Sequence, residues 1–465
     1  MISAPSNSTF IHPITAFMYT PSSFNAARDK KKFFWLVIFF ANLAAIFFLW
    51  MTGSSYQLAH PTGGNMYVAL GRLSGLLLEY AILLQLVLIG RMTFIEEAFG
   101  FDQMNNVHRY IGYSLAILLL AHPLFLALGY GAMNNLSVIG QISNFFATWQ
   151  DVFDAFIGMV LFLYVAAVSI PVVRRKLDYE LWHFIHLLAY VSVALAFGHQ
   201  INSGDAAKGV ALYYWIMLNF GIFGLLLGYR FLKPVYQAWY FGFTVSGVEQ
   251  ETPDTYSVYI TGRNLDTFHY RAGQYANISF LQKSLWPIHP FSFSIEENGE
   301  YIRFTIKGLG DFTKLIPTLR VGTRVLIEGP HGRFTPEVAT KEKILCIGGG
   351  VGITPLRAMI GSETRKGNHM TLLYGVRTVN DIAFRSEFDA MGKEGLLTIH
   401  YITSATTEGY ESGYVDQEKL ARLVPDFYDR DIFVCGPPPM MDSTIALLER
   451  IGVAKAHIHF EKFSF

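Results

Sequence analysis

The chain has 465 residues, of which 52% are hydrophobic, and its mean hydropathy is +0.31. This composition is too apolar for an ordinary soluble protein, so part of the chain is expected to lie in a lipid bilayer. The 36 Lys and Arg balance the 36 Asp and Glu, which argues against nucleic acid as a partner. The two cysteines, Cys346 and Cys435, are too few for a disulfide framework or a Cys-rich metal site.

Six apolar stretches are long enough to cross a bilayer as helices, since about 20 residues are needed. They lie at residues 33–52, 66–90, 106–129, 148–172, 178–200 and 210–232. Lys and Arg cluster on one side of these spans, at residues 28–32, 91, 174–176 and 230–233. The positive-inside rule therefore predicts a multi-pass protein of the plasma (cytoplasmic) membrane with both termini in the cytoplasm.

The soluble part begins where the hydropathy falls, after Lys233-Pro234. Gly-punctuated alternating runs then predict a small antiparallel barrel or sheet, with strands at 255–261, 276–280, 301–307 and 324–328. Apolar strands next alternate with helical segments, as in a doubly wound α/β domain, with strands at 344–347, 370–374, 397–401 and 431–434. The predicted domains are 1–32 (cytoplasmic segment), 33–236 (six-helix membrane domain), 237–338 (β-barrel) and 339–465 (α/β).

Five histidines lie in two of the predicted spans: His108 and His122 in the third, and His183, His186 and His199 in the fifth. Ionisable groups at this depth are costly and usually functional. The first two are 14 residues apart, nearly four helical turns or about 21 Å of rise, so both imidazoles share one face. His186 and His199 match this pair in height but not in angular phase. Either the fifth span contains a bulge, or His183 is the inner partner.

Two imidazole pairs at matched depth predict two haems, because histidines on facing helices commonly bind haem iron from both sides. His108 and His186 would bind the inner haem, and His122 and His199 the outer one. Packing histidines or a proton relay are the alternative. Arg72, on the outer side of the second span, requires an anionic partner such as a haem propionate or an anionic product, unless it snorkels to the surface.

Nucleotide-binding motifs follow in the soluble half. Hydroxyl and backbone N–H groups around Lys307, Gly310 and Thr313, at a predicted helix start, suit a pyrophosphate. A second turn is predicted at 329–332. A Gly-rich loop then lies between a strand and a helix, which predicts dinucleotide binding, with a plain structural turn as the alternative. Its candidate residues are Gly348, Gly349, Gly350, Gly352, Thr354 and Pro355.

A later strand ends in Cys435-Gly436-Pro437 at the carboxyl edge of the sheet, where such folds bind ligands. Cys435 is then a candidate neighbour of the nicotinamide, or else a small buried hydrophobic residue. Arg377 and Arg385 follow the second strand of the α/β domain and favour the 2′-phosphate of NADPH over NADH, although Asp381 lies close in sequence.

In this order, the motifs resemble the ferredoxin–NADP reductase superfamily, and with the histidine-bearing half the chain resembles the NADPH oxidase/ferric reductase family. The implied fold is a six-transmembrane-helix haem-binding bundle followed by a cytoplasmic β-barrel FAD domain and an α/β nucleotide-binding domain. The resemblance also favours His186 over His183 as a ligand. It implies that residues near 307–313 contact the FAD pyrophosphate. It also implies that the His-Pro-Phe-Ser strand and the C-terminal aromatic residue contact the flavin, through His289, Pro290, Phe291, Ser292 and Phe465.

The implied enzyme is a superoxide-generating NAD(P)H oxidase. FAD would split the hydride pair for two b-type haems, which pass single electrons to O2 outside. A ferric-chelate or quinone reductase with the same electron path is the alternative, and a transporter or proton channel with a nucleotide-binding regulatory domain is a third hypothesis. The chain shows no EF-hand pattern or long regulatory extension, which resembles constitutively active bacterial members, so no obligatory regulatory subunit is expected.

Overall fold

The computed structural model describes residues 21–149, 151–202 and 208–461. The helices of these ranges are α1 (Pro21–Gly53), α2 (Ser55–Ala59), α3 (Gly63–Ile89), α4 (Thr93–Phe99), α5 (Phe101–Asn134), α6 (Val138–Thr148), α7 (Val152–Val168), α8 (Pro171–Arg174), α9 (Tyr179–Asn202), α10 (Gly209–Leu226), α11 (Lys233–Phe241), α12 (Ile353–Arg365), α13 (Arg385–Lys393), α14 (Gln417–Leu423) and α15 (Pro438–Arg450). The strands are β1 (Thr244–Thr252), β2 (Thr255–Thr261), β3 (Tyr275–Phe280), β4 (His289–Ser292), β5 (Ile302–Lys307), β6 (Val325–His331), β7 (Lys343–Gly349), β8 (Met370–Val376), β9 (Leu397–Thr403), β10 (Glu411–Ser412), β11 (Arg430–Cys435) and β12 (Ile458–Phe460).

Within the described ranges, five helical segments are long and apolar enough to cross a membrane: 28–53, 63–89, 103–134, 181–202 and 209–241. Five of the predicted spans fall on them. The predicted fourth span is shorter than expected, because α7 contains only 17 residues and α6 precedes it at a bend of 118°. The segment predicted as a loop before α7 therefore contains a helix. Its start is marked by Ser137, whose hydroxyl accepts a hydrogen bond from the Gly140 amide at 3.1 Å.

Glycines allow the membrane helices to approach closely in two pairs, α3 with α5 and α7 with α9. A Cβ atom added at Gly129 of α5 would lie 2.6 Å from the Val68 side chain and 2.7 Å from its backbone nitrogen. One added at Gly158 of α7 would lie 2.8 Å from the Ser192 carbonyl of α9. Helix association in lipid depends on such close backbone contacts, because water does not drive apolar surfaces together there.

A single helix leads from the membrane half into the soluble half. α10, a π-helical segment (Leu227–Leu232) and α11 together form one helix over 209–241. At its far end the Gln237 side-chain amide donates to the Gly329 carbonyl of β6 at 3.1 Å. The first soluble domain is thus attached through a helix rather than a flexible linker.

The first soluble domain consists of two three-stranded antiparallel sheets, ordered β1-β2-β5 and β4-β3-β6. Isolated bridges, Thr244 with Arg324 and Phe293 with Phe304, join the sheets at their edges. All four predicted strands of this domain are confirmed. Strand β1 was not predicted because its sequence is largely polar, and the turn predicted at 329–332 is wrong in part, since β6 continues to His331.

The second soluble domain is a parallel sheet ordered β10-β9-β8-β7-β11-β12. The predicted strands are confirmed as β7, β8, β9 and β11, and the doubly wound arrangement is confirmed with them. From β7 the chain runs outward to β10 and then returns to β11, on the other side of β7. The order therefore reverses between β7 and β11, and such a switch point opens a crevice at the carboxyl ends of the strands.

We expect Gly129→Ala to lower the thermal unfolding midpoint, because overpacking typically costs about 1–3 kcal/mol. The measurement is thermal unfolding of the detergent-purified protein. Gly221→Ala in α10 is the matched control, since a Cβ atom there meets no atom within 4 Å. Equal midpoints for the two variants would contradict the close packing of α3 against α5.

Candidate functional site

Two histidine pairs lie between α5 and α9, and in each pair a ring on α5 faces a ring on α9. The ring centroids of His108 and His186 are 6.1 Å apart, and those of His122 and His199 are 6.4 Å apart. An imidazole nitrogen binds a first-row metal at about 2 Å, so two imidazoles on opposite sides of one metal ion have centroids roughly 6 Å apart. The structure therefore brings the four predicted histidines together in the predicted pairs, at a separation that fits one metal ion between each pair.

His183 has different neighbours from His186. It lies within electrostatic range of the Arg230 and Arg91 guanidinium groups. A bulge in the fifth span was one of the alternatives left open by the sequence, and it is not present, since α9 is α-helical throughout. His186 and His199 lie on opposite sides of the α9 surface that faces α5. Because an imidazole ring extends well beyond its own Cα atom, both side chains still reach their partners on α5.

One histidine of each pair is oriented through its Nδ1 atom. The Nδ1 atom of His122 lies 2.8 Å from the Gly71 carbonyl, and the Nδ1 atom of His186 lies 3.1 Å from the Ser169 hydroxyl. Hydrogen bonds of this kind fix the ring plane and leave the Nε2 atom as the metal-binding nitrogen. Both rings are therefore held in an orientation that suits a metal ligand.

Two adjoining cavities surround the His122/His199 pair. The larger, of about 390 Å³, has a mainly apolar lining that includes Gly75 and Gly158. A Cβ atom at Gly75 would lie 2.6 Å from the His122 ring, so glycine keeps this wall open. The smaller, of about 120 Å³, is lined by both histidines and by Arg72. Arg72 also donates to the Gly53 carbonyl, at the end of α1, at 3.1 Å.

The His-Pro-Phe-Ser motif forms β4, which pairs with β3 so that Ser292 lies opposite Tyr275 and Phe291 opposite Ala276. The Ser292 side chain is buried and Pro290 is exposed. The ring of His289 lies 4.1 Å from that of Phe312. The motif thus has an exposed segment at its start and a buried hydroxyl residue at its end.

The predicted pyrophosphate segment departs from expectation. Thr313 begins a 3-10 helix instead of an α-helix, because Pro317 inside it has no amide proton. The Thr313 hydroxyl accepts from the Leu309 and Gly310 amides, both at 2.9 Å. Lys307 forms an ion pair with Asp254 at 3.3 Å. In this structure Gly310 and Thr313 are therefore engaged with each other, and Lys307 with Asp254.

The Gly-rich loop packs directly on the Cys435–Pro437 segment. Gly350, at φ +51°, begins a 3-10 turn between β7 and α12. Because a Cβ atom at Gly352 would lie 2.5 Å from Gly436, and one at Gly349 would collide with Met440, only glycine allows this contact. Thr354 and Pro355 lie in the first turn of α12. Both predicted nucleotide motifs therefore meet at the switch point of the sheet.

Cys435 is fully buried at the end of β11, opposite Gly348. Burial raises the pKa of its thiol above the usual value, so the side chain is a neutral thiol. Arg377 is exposed after β8. The Asp381 carboxylate accepts hydrogen bonds from the Thr378 amide and hydroxyl at 3.0 and 2.9 Å, which engages it in a local cap. Phe465 lies outside the described residues.

Sequence reasoning missed a buried contact between the membrane half and β6. Glu96 of α4 accepts hydrogen bonds from the His331 Nδ1 atom at 3.0 Å and the Gly332 amide at 2.8 Å. Burial alone would raise the pKa of Glu96, but the hydrogen bonds from His331 and Gly332 and the nearby charge of Arg91 lower it below the usual value. Nearby, Glu328 of β6 pairs with Arg91 and Arg230.

A second missed contact joins the two soluble domains. Arg303 of β5 pairs with Glu387 of α13 at 2.6 Å, and Arg357 of α12 bridges Glu387 and Glu296. The Arg303 and Arg357 side chains are 3% and 7% exposed. Burial opposes ionisation of Glu387, yet the two guanidinium groups outweigh it and lower the pKa of this carboxyl group. The residues are far apart in sequence, so no local pattern could have indicated the network.

Comparison with known protein families accounts for all three domains. The chain matches the family described as "Ferric reductase like transmembrane component" over residues 70–197, "FAD-binding domain" over 243–335 and "Oxidoreductase NAD-binding domain" over 346–445. This is the architecture of the NADPH oxidase/ferric reductase family, with a ferredoxin–NADP reductase-type module. The chain thus combines a ferric reductase-like helical membrane domain in its N-terminal half with an FAD-binding domain and an oxidoreductase NAD-binding domain.

Curated relatives show the same kind of similarity. The propane 2-monooxygenase reductase component of Mycolicibacterium goodii is 28% identical over 234 residues, covering 47% of this chain and 66% of the relative. The NADH oxidoreductase HCR of Escherichia coli (strain K12) is 29% identical over 217 residues, covering 45% and 65%. The chain thus spans just under two thirds of the length of these relatives.

Among solved structures, the FAD/NAD-binding domain of nitric oxide dioxygenase from Vibrio cholerae O1 biovar El Tor has 24% sequence identity and a TM-score of 0.44. The match covers 48% of this chain and 97% of that one.

We expect Glu96→Gln to destabilise the protein by about 1.5–3 kcal/mol, the usual contribution of a hydrogen bond to a charged group. Because the pKa of Glu96 is lowered, its carboxyl group is ionised at neutral pH, and the full loss of stability should be seen there. The measurement is the thermal midpoint of the detergent-purified protein at pH 7. The neighbouring Glu97→Gln is the control, since Glu97 is 44% exposed and its ion pair with Lys31 contributes at most about 1 kcal/mol. Equal shifts in both variants would contradict a docking role for Glu96.

Proposed function

We propose that this protein carries electrons from cytoplasmic NADPH, through FAD and two bis-histidine b-type haems, to dioxygen on the outer side of the membrane, where superoxide forms. The observation that supports this most directly is the pairing of four histidines between α5 and α9, at 6.1 and 6.4 Å. Each haem would supply one-electron transfer, and FAD would convert a hydride pair into single electrons.

The histidines of the membrane domain would hold the two haems at different depths, so that electrons cross the bilayer in separate steps. His108 and His186 would bind the inner haem, and His122 and His199 the outer one. The bilayer core is about 30 Å thick, so two sites divide the crossing into shorter steps. The clustering of Lys and Arg on one side supports six spans with both termini in the cytoplasm, and hence a plasma membrane protein.

The soluble residues bind the other two cofactors. In the proposed arrangement β4 positions the flavin through His289, Phe291 and Ser292, with Phe465 stacked on its ring. The edge-to-edge bridges between the two sheets support closure of this domain as a barrel. At the switch point, the Gly-rich loop receives the dinucleotide and Cys435 lies near the nicotinamide. The engagement of Asp381 in a local cap leaves Arg377 as the group that selects the 2′-phosphate of NADPH.

Dioxygen is the acceptor that fits this arrangement best. If His122 and His199 both held the haem iron, the acceptor would take its electron without binding the metal. Arg72 lines the cavity beside His122 and His199, where its charge would stabilise an anionic product such as superoxide. No regulatory subunit is required in this scheme.

The first test is an anaerobic spectrum of the purified protein before and after NADPH, followed by air and a superoxide-sensitive probe. We expect bis-histidine haem bands at about two haems per chain, which reoxidise in air with superoxide formed. Slow reoxidation in air, with fast reoxidation by a ferric chelate or a quinone, would identify that compound class as the acceptor. A protein without haem would overturn the electron path and favour a transporter or channel.

We expect His186→Ala to lose about half of the bound haem, because one axial ligand is removed from one of two sites. His183→Ala is the matched control on the same helix and should retain both haems. The measurement is haem content per chain from the reduced spectrum. Loss of haem from His183→Ala with retention in His186→Ala would contradict the assignment of the inner ligand.

A further inference from the structure

Polar side chains from three helices line the smaller cavity beside His122 and His199, and we call them the polar cluster. They are Glu79 of α3, Gln200 of α9, and Trp215 and Asn219 of α10. Glu79, Trp215 and Asn219 are only 6%, 4% and 3% exposed. A buried carboxyl group within a membrane domain is costly and therefore indicates a function.

The hydrogen bonds inside the cluster are incomplete. Gln200 donates to the Oε2 atom of Glu79, and Asn219 lies against the same carboxyl group. Three buried atoms have no hydrogen-bond partner among the described residues: Glu79 Oε1, Trp215 Nε1 and Asn219 Oδ1. Each buried polar group without a hydrogen-bond partner would destabilise the fold by about 1–3 kcal/mol. Three such groups around one cavity therefore indicate that small molecules in the cavity form hydrogen bonds with them.

Water fits the chemistry of this cavity. Two of the unpaired atoms are oxygens and the third is an indole N–H donor, and a water molecule both donates and accepts. The volume of about 120 Å³ is sufficient for several water molecules. A hydrated carboxyl group is therefore placed beside the outer histidine pair, and neither of its hydrogen-bonding neighbours is a histidine.

Among the residues that the structure describes, few charged groups lie around Glu79. The titratable or charged groups that line the same cavity are Arg72 on α3, His122 and Tyr130 on α5, and His199 on α9, while α10 contributes only neutral residues. In a medium of low dielectric constant, an electron that arrives beside these groups adds a negative charge that is poorly screened. Uptake of a proton nearby would cancel that charge.

We propose that Glu79 takes up one proton when an electron reaches the site between His122 and His199, and releases it when the electron leaves. On uptake, a carboxylate oxygen of Glu79 forms an O–H bond with a proton given up by a cluster water, which regains a proton from the outer solution. When dioxygen takes the electron, the carboxyl group returns its proton through the same waters, so that superoxide and the proton leave together. This inference rests on the proposed function.

The test is a spectroelectrochemical titration of both haems in the intact protein, carried out at pH values on both sides of neutrality. We expect the potential of one haem to fall with pH by up to about 59 mV per unit, the one-electron equivalent of a tenfold change in the equilibrium constant. Glu79→Gln should abolish this slope while both haems remain bound. Glu97→Gln, which removes an exposed carboxylate of α4, should retain it.

Infrared difference spectra between the oxidised and reduced protein provide an independent readout. We expect a carboxyl C=O band that shifts in D2O and is absent in Glu79→Gln. If that variant does not bind haem, Glu79→Asp should keep both band and slope, because it retains a carboxyl group.

Each outcome has a defined meaning. Potentials of the wild-type haems that do not change with pH, or an unchanged slope in Glu79→Gln, would overturn the role of Glu79 and leave the proposed function intact. A wild-type protein without haem would overturn the proposed function itself.

Discussion

The membrane half depends on how closely α5 approaches α9. Both histidine pairs lie between these two helices, so the same contact sets both ring separations. A displacement of α9 by one residue would move its side chains by about 1.5 Å along the axis and 100° around it, which would separate both pairs at once. The helices α3 and α7 pack on α5 and α9 through glycines, and this close packing restrains such a displacement. Small residues are thus as important for the site as the histidines themselves.

The contacts between the domains follow a different rule from the contacts within the membrane. Two of the interdomain carboxylates are each shared between two arginines: Glu328 by Arg91 and Arg230, and Glu387 by Arg303 and Arg357. Buried ion pairs add little net stability because desolvation offsets their attraction, but they are intolerant of misplacement. We therefore interpret them as groups that fix the orientation of one domain against the next.

The features that could be predicted from the sequence are those that depend on the local spacing of histidines and apolar residues. The positions of the histidines follow from helix rise, and β7, β8, β9 and β11 follow from apolar runs of strand length. Short or polar elements gave no such signal, as in β1, β10 and β12. Helix α6 escaped prediction because it is apolar and immediately precedes the apolar run of α7, so little in the sequence separates the two. The cap at Ser137 marks only the start of α6.

The site was predictable to the same extent. The Gly-rich loop was correctly placed after β7, and the Cys435–Pro437 segment at the end of β11. That they touch each other depends on strand order, which no motif encodes. The partners of Glu96 and Glu387 come from other domains and lie far away in sequence. The polar cluster likewise draws on three helices, and Glu79 alone, in an apolar run, resembles an ordinary isolated charge.

The continuous helix formed by α10, the π-helical segment and α11 has a consequence for how such proteins can be recombined. An α-helix turns about 100° per residue, so a reductase module attached through it has a rotational phase as well as a distance. Adding or removing one residue between Leu226 and Lys233 would turn Gln237 away from Gly329 and swing Glu328 away from its arginines. A chimaera of two such proteins should therefore tolerate insertions in the surface loops far better than a change of one residue in this helix.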